Sequence, residues 1–205
     1  MIIDKIVVMN LPNKLTLFRI FLVPLIILVW LFPYNQFGIT LPNLYVGPIA
    51  LPLLNIIVLG LFIIASITDM LDGMIARKNS MITTFGKFAD PIADKLLVNS
   101  VLIVMCYKHM VPVVPVVLML SRDIIVDGCR MMASSNGVVV AAGILGKLKT
   151  VLQIITICLT LLNNLPFEIV SLPISTFMIW FTAFVSVASG YSYFMQLKQY
   201  IFESM

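Results

Sequence analysis

Asp69-Met70-Leu71-Asp72-Gly73-Met74-Ile75-Ala76-Arg77 and, after a short polar connector, Gly86-Lys87-Phe88-Ala89-Asp90-Pro91-Ile92-Ala93-Asp94 place four carboxylates in a chain that is 61% apolar. Residues 69–94 hold four of its nine acidic side chains. An ionisable group at membrane depth costs roughly 2.5–3.5 kcal/mol on insertion scales, so its presence there points to a function. On a helix, residues three and four apart share a face. Asp69, Asp72, Gly73 and Ala76 therefore form one stripe, and Gly86, Asp90 and Asp94 a second. Lys78-Asn79-Ser80, with Thr83 and Thr84, is long enough for a turn that sets the two stripes face to face.

Four carboxylates converging in this way repel one another unless cations neutralise them. All-oxygen ligands select Mg²⁺, Mn²⁺ or Ca²⁺ over zinc. Gly73, Ala76 and Gly86 leave room for something flat or wide against the backbone, and Arg77 offers a planar fork suited to phosphate. Carboxylates, divalent ions, an arginine and a glycine-lined slot together describe phosphoryl transfer. Helix packing through small residues accounts for the glycines but not for four aspartates on two stripes.

The rest of the chain supplies the setting. A mean hydropathy of +1.10 and 11% charged residues exclude an ordinary soluble surface. Six apolar stretches, at about 18–33, 50–70, 88–107, 111–132, 144–163 and 173–196, are close to the length that crosses roughly 30 Å of hydrocarbon. The first is short and contains Pro24. The fourth carries Pro112, Pro115 and a charged C-terminal half. These stretches predict an all-α integral membrane protein: a compact six-transmembrane-helix bundle in 205 residues, with little left for a soluble domain. No removable signal peptide is expected. Cys106, Cys129 and Cys158, odd in number and without motif spacing, read as buried apolar side chains.

Charge is distributed unevenly over the connections. Lys5, Lys14 and Arg19 precede or open the first stretch. Arg77, Lys78 and Lys87 lie between the second and third, Arg130, Lys147 and Lys149 between the fourth and fifth, and Lys198 after the sixth. The alternate connections hold Lys108 with His109, Glu168, and no charge at all between Tyr34 and Gly47. That bias predicts a multi-pass protein of the plasma membrane, with both termini and the aspartates cytoplasmic. The basic residues also suit anionic lipid headgroups. His109 reads as a polar loop residue.

The string Asp69-x2-Asp72-Gly73-x2-Ala76-Arg77-x8-Gly86-x3-Asp90-x3-Asp94 resembles, at every fixed position, the signature of the CDP-alcohol phosphotransferases. The resemblance covers roughly residues 10–195, and a single membrane domain over 1–205 is expected. It implies a six-helix fold, a homodimer, and two Mg²⁺ or Mn²⁺ ions at a site open to the cytoplasm. Such enzymes move a phosphoalcohol unit from a CDP-linked donor to an acceptor hydroxyl and release CMP. By this resemblance Asp69, Asp72 and Asp90 are metal ligands. Asp94 ligates or adjoins the second metal and acts as the base on the acceptor. Gly73 and Ala76 make room for the donor's cytidine and Arg77 holds its diphosphate. Donor binding thus falls to Asp69, Asp72, Gly73, Ala76, Arg77 and Gly86.

Two further regions resemble the phosphatidylglycerophosphate synthase branch of that family. Asn10-Leu11-Pro12-Asn13-Lys14-Leu15-Thr16-Leu17-Phe18-Arg19 is similar to its N-terminal signature, where a short interfacial helix leads into the first span. The same residues read equally as an Asn-capped helix start with Pro12 in its first turn. Ser121-Arg122-Asp123 through Arg130, then Gly146-Lys147-Leu148-Lys149-Thr150 and Gln153, is the second region; the branch commonly has Arg-Glu where Arg122-Asp123 stands. Arg122, Arg130, Lys147 and Lys149 form an expected clamp for a phosphorylated acceptor, near the aspartate end of spans four and five. The implied donor is CDP-diacylglycerol and the implied acceptor sn-glycerol 3-phosphate. Membrane lipids are partners and nucleic acid is not. The alternatives are a cardiolipin, phosphatidylserine or inositol-phosphate lipid synthase. A prenyltransferase would need a second aspartate-rich motif. A Mg²⁺ transporter would need polar residues along a path through the membrane, whereas here they collect at one end.

Overall fold

The computed structural model describes residues 10–78, 83–135 and 143–202. Among them are six α-helices: α1 (Leu11–Leu31), α2 (Leu53–Lys78), α3 (Thr84–Tyr107), α4 (Val113–Ser135), α5 (Ile144–Leu161) and α6 (Ile174–Phe202). Each overlaps one of the six apolar stretches of the sequence. A hairpin of β1 (Asn43–Val46) and β2 (Ile49–Pro52) joins α1 to α2, an addition to the purely helical expectation. Gly47 turns it at φ +61, a conformation costly for any residue with a Cβ.

The burial pattern is that of a membrane protein. Phe21, Leu28, Ile124 and Phe184 are about 70% exposed on helix faces, while Thr16, Arg19, Thr182 and Ser189 are wholly buried. Water does not reward that inversion, but hydrocarbon does, because intrahelical bonds satisfy the backbone and polar side chains find partners inside. The helices α1, α2, α5 and α6 are long and apolar enough to cross a bilayer. Charged residues interrupt the apolar sequence of α3 and α4.

Local chemistry fixes two helix starts. Asn10 occupies the N-cap position of α1 in extended backbone, and Pro12 stands in the first turn, but Asn10 makes no side-chain capping bond. The capped-start expectation thus holds in position only. The N-terminal motif and the first span form one continuous helix. At α3 the cap is Thr83, whose Oγ1 accepts the Gly86 N–H at 2.9 Å. Pro24 lies within α1 and Pro91 within α3.

Two compact units can be distinguished by their internal packing. One comprises α1, α2 and α3 up to Val101. Its core sets Leu22, Val23, Ile26 and Trp30 of α1 with Val58, Phe62 and Ala65 of α2, and Ala93 and Leu97 of α3 are also buried. The other comprises the end of α3 with α4, α5 and α6, and α6 packs on both α4 and α5. Thr156 of α5 and Thr182 of α6 share a buried hydrogen bond of 3.0 Å, the kind of polar contact that holds helices together in lipid.

Candidate active site

In the first unit, Asp69 of α2 and Asp90 of α3 meet a polar stripe on α1. Asn13, Thr16 and Arg19 recur every three residues, so they share a face, and all three are buried. Arg19 Nη1 donates to Asp69 Oδ1 at 2.5 Å. The guanidinium side is fully buried, whereas Asp69 keeps 39% of its side chain exposed. Thr16 Oγ1 donates to Asp90 Oδ1 at 2.5 Å. Asn13 Oδ1 accepts the Thr83 hydroxyl at 2.9 Å, tying the α3 cap to α1. Asp69 and Asp90 lie near enough to repel one another.

Gly86 sits inside this group. A Cβ there would lie 3.2 Å from both Asn13 Oδ1 and Thr83 Oγ1, and 3.6 Å from Asp90 Oδ2. The absence of a side chain thus leaves room for the bond between Asn13 and Thr83. Asp94 follows Asp90 by one turn of α3 and is partly buried. Asp72, Gly73, Ala76 and Arg77 belong to α2, but their side-chain surroundings lie outside the described residues. Among the described residues no three carboxylate, histidine or cysteine ligands gather closely enough to hold a metal on their own. The chemistry of the site nevertheless fits a hard cation: two carboxylates from separate helices in mutual repulsion, each with one oxygen anchored by α1.

In the second unit, two of the four cations expected to bind the acceptor, Arg122 and Lys149, contact Asp123, which is 4% exposed. Lys149 Nζ contacts both Asp123 oxygens at 2.6 Å, and Arg122 Nη1 contacts Oδ1 at 2.9 Å. Burial of this triad makes it costly to break: removing one partner of a buried pair costs about 3–5 kcal/mol. Arg122 also donates from Nη2 to Ser189 Oγ at 2.7 Å. Arg130 donates from Nη2 to the Tyr193 hydroxyl at 2.7 Å, and that oxygen also accepts the Gly143 N–H at 2.7 Å. The Tyr193 ring lies 4.7 Å from the Arg130 guanidinium carbon and 5.6 Å from that of Arg122. Lys147 is exposed.

Small residues make this arrangement possible. A Cβ on Gly190 would come within 2.7 Å of Arg122 Cγ, and one on Gly146 within 3.2 Å of the Tyr193 hydroxyl. Sequence reasoning missed Ser189, Gly190 and Tyr193. Their signal was present: Thr182, Ser186, Ser189 and Tyr193 recur at helical spacing along one side of an otherwise apolar α6, and all are buried.

Known proteins place this chain among lipid-modifying transferases. The family model described as CDP-alcohol phosphatidyltransferase matches residues 9–188. The chain is 44% identical over 185 residues, 90% of its length and 93% of the relative's, to the CDP-diacylglycerol–glycerol-3-phosphate 3-phosphatidyltransferase of Bacillus subtilis (strain 168). It is 38% identical over 192 residues to the protein of that name from Rickettsia bellii (strain RML369-C), with 93% of this chain and 97% of the relative covered. The protein of that name from Mycoplasma genitalium is 40% identical over 151 residues, 72% of this chain and 63% of the relative. With its aspartate signature on α2 and α3 and a family match over most of its length, this chain belongs to the CDP-alcohol phosphatidyltransferases.

Proposed function

We propose that this protein transfers the phosphatidyl group of CDP-diacylglycerol to sn-glycerol 3-phosphate, giving phosphatidylglycerophosphate and CMP. The observation that carries the choice of acceptor is the 44% identity, over nine-tenths of the chain, to a relative named for that reaction. The cation cluster of Arg122, Arg130, Lys147 and Lys149 supports it, because a dianionic acceptor needs fixed positive charge where a neutral alcohol does not.

In this reading Asp69, Asp72, Asp90 and Asp94 hold two Mg²⁺ or Mn²⁺ ions, which neutralise the diphosphate and stabilise the departing CMP. Gly73 and Ala76 leave space for the cytidine, Gly86 adjoins the donor, and Arg77 steadies the diphosphate. Arg122 and Arg130, set by Ser189 and Tyr193, take the acceptor phosphate together with Lys147 and Lys149. The acceptor hydroxyl oxygen bonds to the phosphatidyl phosphorus as the bond from that phosphorus to the CMP oxygen breaks. Asp94 receives the hydroxyl proton. A carboxylate is a weak base for an alcohol, so orientation of the two substrates carries much of the rate.

All six helices cross the plasma membrane in this reading, with the first turns of α1 at the cytoplasmic interface. The chain works as one domain, within a homodimer, and both termini and the carboxylates face the cytoplasm. The excess of basic residues in the connections on that side supports the orientation. Release of CMP by the purified chain, given CDP-diacylglycerol and a panel of acceptor alcohols, tests the function. Glycerol 3-phosphate should be the preferred acceptor. CMP release with serine, inositol phosphate or phosphatidylglycerol, and none with glycerol 3-phosphate, refutes it.

A further inference from the structure

We propose that Thr16 and Arg19 of α1 are positioning residues that fix how Asp69 and Asp90 present their free oxygens to a divalent cation. The inference rests on the metal-binding reading of those carboxylates. Each carboxylate has one oxygen, Oδ1, engaged by a donor on α1: Asp69 by Arg19 Nη1 and Asp90 by Thr16 Oγ1, both at 2.5 Å. The second oxygen of Asp90, Oδ2, lies 3.6 Å from where a Cβ on Gly86 would stand. The donors stand one turn apart on a helix face that is itself buried, so neither can swing away without disturbing the packing of α1 on α2.

Thr16 gives the sharper case. Its hydroxyl carries one proton and has two acceptors in reach, the Pro12 carbonyl at 3.1 Å and Asp90 Oδ1 at 2.5 Å. A proton given to a carboxylate forms the stronger, charge-assisted bond. Thr16 is fully buried, so no water takes its place when it is lost. Asn13 extends the same stripe by holding Thr83, the cap of the helix that carries Asp90. The N-terminal stretch thus acts as an outer layer of the acidic site, one helix away from the carboxylates. Outer partners of this kind change metal affinity without touching the metal.

The test is Mn²⁺ titration of the full chain in lipid nanodiscs, read by electron paramagnetic resonance, beside melting of the metal-free protein. Thr16→Val keeps the shape and removes the hydroxyl; it should weaken Mn²⁺ binding by roughly 10–100-fold. Thr16→Ser keeps the hydroxyl and should bind like the wild-type chain. A purely structural role would instead lower metal-free melting and leave Mn²⁺ affinity in place. Thr16→Ala replaces Thr16→Val, with the same expectation, if the valine variant does not fold. Wild-type affinity in the hydroxyl-free variant overturns the positioning role while leaving the metal site standing. A wild-type chain that binds no Mn²⁺ overturns the metal reading itself, and the positioning role with it.

Discussion

Arg19 and Asp69, fifty positions apart in sequence, meet at 2.5 Å with the arginine fully buried and the aspartate partly open. The pair links the N-terminal helix to the first aspartate of the family signature. In the proposed reading that aspartate has two duties, because it compensates a buried cation and would also offer an oxygen to a metal.

Asp69→Asn and Asp90→Asn should therefore differ. Both remove a charged oxygen from the acidic site and should abolish CMP release, as should Asp72→Asn. Chelation with EDTA should do the same to the intact protein, and Mg²⁺ or Mn²⁺ should restore turnover. Asp69→Asn additionally replaces the charged acceptor of the Arg19 Nη1 bond with a neutral one, at a cost of about 1–3 kcal/mol. Asp90→Asn leaves only the Thr16 hydroxyl to adjust. Melting of the metal-free variants should rank Asp69→Asn below Asp90→Asn. Equal melting contradicts the double duty, and full activity after exhaustive chelation refutes the metal requirement.

The acceptor cluster gives a second expectation. Arg122→Ala removes a guanidinium that Ser189 and the Tyr193 ring hold in place. Asp123 keeps Lys149 at 2.6 Å, so the triad loses a charge without stranding a carboxylate. The KM for glycerol 3-phosphate should rise by at least tenfold, with that for CDP-diacylglycerol little changed. Lys147→Ala should act in the same direction. A folded Arg122→Ala protein with both KM values at wild-type levels refutes the assignment of Arg122 to the acceptor.

Gly190→Ala tests the same cluster from the side of α6. The added methyl would lie 2.7 Å from Arg122 Cγ, closer than packed carbon atoms approach, so the arginine stem must shift. Overpacking of this kind costs about 1–3 kcal/mol. The acceptor KM should rise more than the donor KM in a protein that still folds. An unchanged acceptor KM means that Arg122 can move without loss, and the close fit of α6 is then irrelevant to function.

The limits of sequence reading follow from these same residues. The helices were legible because a membrane span needs a long apolar run, and each run overlaps an observed helix. The two acidic stripes were legible because spacings of three and four are local and the residue type is costly in lipid. The partners were not. Nothing local in Arg19 indicates Asp69, and nothing in Thr16 indicates Asp90, because helix packing decides both pairings. Lys149 was expected to serve the acceptor, and composition alone offered no reason to seat it on Asp123. Tyr193 reads as one more aromatic in an apolar helix until its hydroxyl is seen between Arg130 and Gly143. The hairpin at Asn43–Val46 and Ile49–Pro52 has strands of four residues each, too short for alternation to stand out.

In the proposed mechanism the acceptor gives its proton to Asp94. That residue follows Asp90 by one turn of α3, so it lies on the same stripe but at a different depth. Asp90 is anchored to Thr16. If Asp94 takes the proton, Asp94→Asn should leave most of the affinity for Mn²⁺ and for CDP-diacylglycerol in place. Single-turnover CMP release should fall by roughly 10²–10⁴-fold, because the base is lost while the acidic site stays assembled. If Asp94 served only as a metal ligand, Mn²⁺ and donor binding should collapse together with the rate. Calorimetric titration of the variant with Mn²⁺ and a CDP donor, beside single-turnover measurement, separates the two. Preserved binding with lost chemistry identifies Asp94 as the base, collapsed binding reassigns it to the metal, and near-normal turnover removes it from both roles.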